Sequence, residues 1–83
     1  MSDRAALLAG VGDILVATRV HLGLDVEDAA REAGLEPERL AEAEAGETAL
    51  DERELAALAE RYGCAVTAFF GGRVTPLSYL FGT

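Results

Sequence analysis

Eighty-three residues, with 15 Asp and Glu against 7 Lys and Arg, a net charge of −8 and 51% hydrophobic but only 6% aromatic residues, describe one small domain with room for a single core. Every basic residue is an arginine, and so acidic a chain is a poor partner for phosphate unless those arginines gather on one face. The single cysteine, Cys64, excludes an intramolecular disulfide and a thiolate cluster. No charged segment leads into an apolar run and no apolar stretch is long enough to cross a bilayer, so a cytoplasmic protein is expected.

In chain order, Ser2 is a candidate cap for a first turn running to Leu8, but Gly10 and Gly12 each weaken a helix by about 1 kcal/mol relative to alanine. Residues 1–10 therefore read either as an arm or as a helix extension. The clear helix runs from Gly12 to Leu22, with Val11, Ile14, Leu15, Thr18 and Leu22 forming its apolar stripe. Gly23 stops it and Leu24 follows as a hydrophobic anchor. Asp25 caps a second helix, with Asp28 at the capping-box position. Val26, Ala29, Ala30 and Ala33 form its inner side, and Gly34 ends it. Pro37 suits the first turn of a third helix, which buries Leu40 and Ala43 and closes at Gly46. Asp51 and Glu54 cap a fourth helix whose inward stripe is Leu55, Leu58, Ala59 and Tyr62, ended by Gly63. Val66, Phe69 and Phe70 suggest one more helical turn before Gly71-Gly72. The last segment, with Pro76 and β-favouring residues, reads as a strand or extended arm. The division expected is 1–10, then a domain over 11–72, then an apolar tail over 73–83.

Few residues suggest chemistry. His21 falls near the end of the first helix, where it suits the helix dipole, with no nucleophile beside it. Cys64 follows a helix-ending glycine and reads as a structural thiol. The carboxylates Glu36, Glu38, Glu42, Glu44 and Glu47 lack the ligand alternation and central glycine of a calcium loop. They read as a solvated acidic face, or as a surface for a basic partner. No cofactor, metal or catalytic residue is expected, and the chain is read as non-enzymatic.

Two short helices joined through Ala33-Gly34-Leu35 are how a helix-turn-helix closes. Here the sequence resembles the Cro/phage-repressor (XRE) family over roughly Val11 to Phe70. Leu22-Gly23-Leu24-Asp25-Val26-Glu27-Asp28-Ala29-Ala30 is similar to the family's Gly-Leu-Ser-Gln-Glu-Glu-Leu-Ala, and Glu44-Ala45-Gly46 to its Glu-Arg-Gly. Gly34-Leu35 sits at the turn before the recognition helix, and Leu55 to Phe70 resembles the fourth and fifth helices. The resemblance implies an all-α, lambda-repressor-like domain of four to five helices with an extended C-terminal tail, acting as a DNA-binding transcriptional regulator and dimer. The chain departs from the family at Val26, where a contacting Gln is usual, and at Ala45, where the exit Arg is usual. The third helix exposes Glu36, Pro37, Glu38, Arg39 and Glu42, so Arg39 is the expected duplex contact, with Arg31 and Arg53 supporting it at phosphates and Glu38 and Glu42 facing the groove. A carboxylate held 4 Å from a phosphate is repelled by about 4 kcal/mol at an effective dielectric near 20. The alternative is therefore a helix-turn-helix that has lost DNA binding and meets a basic protein. Val74, Leu77, Tyr79, Leu80 and Phe81 either fold back over the domain's own core or form a homodimer interface.

Overall fold

The computed structural model describes residues 3–72, with side chains from Arg4 onward. Four α-helices, α1 Asp3–His21, α2 Val26–Ala33, α3 Pro37–Glu44 and α4 Glu52–Tyr62, precede a 3-10 helix over Val66–Phe70. Among the described residues there is no strand, and the tail residues Val74, Leu77, Tyr79, Leu80 and Phe81 lie outside them. α3 packs on α1 and α2, α4 packs on α2, and the 3-10 helix closes against α1 and α4.

Local chemistry sets most of these boundaries. The Asp25 side chain accepts from the Asp28 backbone N–H at 2.7 Å. The capping box expected there forms only by half. An aspartate is one methylene too short to reach back comfortably, and the Asp28 carboxylate takes the Arg31 guanidinium at 2.6 Å instead. Asp51 and Glu54 complete both halves of theirs at 2.8 and 2.9 Å, because the longer Glu54 returns to the Asp51 N–H. At the end of α2, Gly34 has φ +76°, and the N–H groups of Leu35 and Gly34 donate to Ala30 and Arg31 oxygens at 2.8 and 3.1 Å. That paired closure needs a left-handed residue, which glycine adopts without a Cβ penalty.

α1 departs from expectation at both ends. It is one helix from Asp3, continuous through Gly10 and Gly12, because tertiary packing outweighs the propensity cost of the glycines. Gly12 is also a contact: a Cβ there would lie 2.5 Å from the Glu44 carbonyl oxygen, so the missing side chain is what lets α1 sit on the end of α3. Leu8 consequently joins the core. Leu22, expected in the buried stripe, is 42% exposed, since α1 ends at His21 and the chain turns before Leu22 can face inward.

Leu15, Leu40, Leu50, Leu55, Leu58 and Phe69 are wholly buried, each worth about 1.5–3 kcal/mol of transfer free energy. Tyr62 meets Phe69 edge to face at 6.2 Å between ring centres. Burial pushes the Tyr62 hydroxyl up to about 12 and raises the half-buried Cys64 thiol.

Candidate nucleic-acid interface

α2, the Gly34-Leu35 turn and α3 form a corner whose second helix keeps one side free. On α3, Leu40 and Ala43 point into the core, while Glu38, Ala41, Glu42 and Ala45 are exposed at the spacing of one helical face. Glu36 is exposed just before the helix and Glu47 just after it. Glu44, grouped with these carboxylates by sequence, turns inward instead and is only 8% exposed. Its oxygens accept from Arg19 Nε and Nη2 at 2.7 and 3.1 Å, and Arg19 Nη1 also donates to the Leu24 oxygen at 2.9 Å. This pairing raises the Arg19 pKa above its ordinary value. One guanidinium thus ties the end of α1 to the end of α3 and to the loop opening α2.

Arg39 is placed differently from the exposed position expected of it. Its Nε and Nη2 donate to the two Glu54 oxygens at 3.0 and 2.8 Å, Nη1 reaches Thr48 Oγ1 at 3.3 Å, and Nη2 also reaches the Ala49 oxygen at 3.3 Å. The two-pronged geometry suits a planar guanidinium. The Glu54 hydrogen bond raises the Arg39 pKa, and the same bond holds the Glu54 carboxyl below its ordinary range. Glu54 therefore serves both the α4 capping box and the α3–α4 strut.

The other candidates are scattered. Arg31 is exposed at the end of α2, paired with Asp28. Arg53 is exposed at the start of α4 and makes no ion pair among the described residues; it borders a groove with Ala33, Leu35 and Ala57 beside the turn. Arg61 pairs with Glu32. Glu38 and Glu42 share the outward side of α3 as expected, and neither has a salt-bridge partner there. The structure thus brings the carboxylates together and draws Arg39 and Arg19 away. Sequence reading missed Arg19 and Glu54 as interhelix partners, because nothing local marks a pair 25 or 15 residues apart.

Two carboxylates have a structural account. Glu36 and Glu38 lie at the positive end of the α3 dipole, where a negative charge contributes about 0.3–1 kcal/mol. Glu42 lies in the last turn of α3, which holds no basic residue, and so opposes the dipole. Among the described residues no group of three His, Cys, Asp or Glu is arranged to hold a metal, and no single helix is long and apolar enough to cross a membrane.

The sequence profile of a helix-turn-helix family matches residues 15–69. Two crystal structures of the clp gene regulator ClgR from Corynebacterium glutamicum superpose with TM-scores of 0.74 and 0.72. Each is 23% identical, and the matches cover 80% of this chain and 70% and 86% of the respective ClgR chains. No curated protein sequence matches significantly. The superposition shows a shared fold.

Proposed function

The chain belongs to the XRE-type helix-turn-helix family, and from that premise we propose that it is a cytoplasmic, non-enzymatic transcriptional regulator that binds DNA as a dimer. The observation that carries this reading is the α2–turn–α3 corner, closed at Gly34 and leaving the outward residues of α3 uncovered. In such a corner the second helix enters the major groove and paired subunits read half-sites about 34–36 Å apart. Glu38 and Glu42 then face base edges, where a carboxylate accepts from cytosine N4. Arg53 reaches a phosphate directly. Arg31 exchanges Asp28 for a phosphate at small cost, since an exposed pair is worth about 0–1 kcal/mol. Arg39 takes part only by leaving Glu54. Residues 11–72 carry the domain in this reading, 1–10 extend its first helix, and the apolar residues of 73–83 supply the subunit contact.

The test is fluorescence anisotropy of the purified protein with random-sequence duplex across a salt series. Binding near ~20 mM salt that falls steeply as salt rises is the expected result. Silence at that salt, where phosphate contacts are strongest, would sink the DNA reading. A second reading, an acidic module for a basic protein partner, is favoured by Glu38 and Glu42, which are exposed together on the outward side of α3 without a salt-bridge partner among the described residues.

A further inference from the structure

The outward side of the second helix of the corner is built from only two residue types. Glu38 and Glu42 stand one turn apart on α3, Ala41 and Ala45 form the row beside them, and all four are exposed. The one arginine of α3 is committed elsewhere: Arg39 turns its guanidinium to Glu54, Thr48 and the Ala49 oxygen. The third carboxylate of the helix proper, Glu44, is held inward by Arg19 at 2.7 Å. Two carboxylates and two methyl groups therefore face outward, with no side-chain donor among them.

Each of these groups matches one kind of base edge in the major groove. Guanine shows only the acceptors N7 and O6, which repel a carboxylate, and the arginine that would bind them is tied to Glu54. Adenine offers its N6 amine, but beside the acceptor N7, which opposes the second carboxylate oxygen. Cytosine offers its N4 amine beside an apolar C5–H edge and suits a carboxylate best. An alanine methyl packs on the methyl group of thymine. Residues four apart lie about 6 Å apart along the helix, just under two base steps of about 3.4 Å, and both rows keep that spacing. We propose that α3 reads a pyrimidine strand, with cytosines opposite Glu38 and Glu42, one to two steps apart, and thymines opposite Ala41 and Ala45. This rests on the DNA-binding reading and names the kind of duplex that the corner selects. The glutamates act by exclusion as well as attraction, since a guanine at either position sets acceptor against acceptor.

The experiment is selection from a random-sequence duplex library at low salt with the full chain, the wild type beside the double variant Glu38→Gln with Glu42→Gln. Anisotropy on the enriched duplex and on copies with single base pairs exchanged then gives affinities, and circular dichroism checks folding. Both positions are exposed, so the two glutamines leave the fold intact. The expected wild-type pool carries a pair of cytosines beside thymines, and each cytosine replaced by guanine weakens binding about 10-fold. Glutamine keeps the shape of glutamate but offers a donor and an acceptor, as adenine N7 and N6 require, so the variant is expected to choose adenine at the same two positions. A variant that binds more tightly but keeps the wild-type bases shows glutamates acting through charge alone and overturns the proposal. A wild-type pool with guanine at those positions, or with no base preference, overturns it too, and both results leave the regulator reading standing. A library from which the wild type recovers no duplex overturns the regulator reading and this one together.

Discussion

α1 turns Ala6, Gly10, Ala17 and Val20 to solvent, while α3 turns Glu38, Ala41, Glu42 and Ala45 outward. Both helices bury their inner sides in one core, and an arginine–glutamate pair fastens each of them, Arg19 to Glu44 and Arg39 to Glu54. The charges that hold the helices together are thus paired inside the domain. What remains outside differs by helix, nearly uncharged on α1 and wholly negative on α3. An apolar surface selects a partner by area, a negative one by charge, so the two helices suit different partners.

The largest effect comes from the place where the two helices touch. Gly12→Val would drive a side chain into the Ala43 and Glu44 carbonyls and is expected to cost about 3 kcal/mol in urea denaturation. Gly10→Ala, two residues away and facing open space, should instead stabilise by about 0.5–1 kcal/mol. Equal effects at the two positions would mean that α1 and α3 do not meet as described. Next in size is a reversal of the outward charge on α3. Glu38→Lys with Glu42→Lys adds four units of charge to that surface and should tighten duplex binding about 100-fold at low salt, read by anisotropy, with stability changed by less than about 1 kcal/mol. No gain in affinity would show that α3 is not the surface that meets DNA.

The smallest effect sharpens the role of Arg39. Arg39→Ala should cost about 1–2 kcal/mol by breaking the half-buried pair, and Glu54→Ala more than that, since it also removes the Glu54 half of the α4 capping box. A loss of stability with duplex affinity unchanged in both variants makes Arg39 a strut; an affinity loss in Arg39→Ala alone makes it a contact as well. The folded Glu54 pKa lies below its unfolded value of 4.5, so the strut's contribution is present above that pH and is lost as pH falls through the folded value. A stability profile flat from pH 6 down to pH 3 in the wild type, matching that of Glu54→Ala, would contradict the pairing.

What the sequence by itself determined was local. Asp25, Asp51 and Pro37 begin helices, Gly34 and Gly63 end them, and the stripe Leu55, Leu58, Ala59, Tyr62 is buried as its spacing implies. Caps, left-handed glycines and helical periodicity act within about five residues, so they can be read from the chain alone. Tertiary structure alone decided the rest. Leu50 belongs to no periodic segment, yet it is wholly buried between α3 and α4. Gly12 looks like a weakness in α1 and proves to be its contact with α3. Arg39 sits beside the exposed Glu38 and Glu42 on α3, but its guanidinium goes to Glu54, 15 residues away. A long side chain can reach in several directions, and its destination depends on which helix packs beside it.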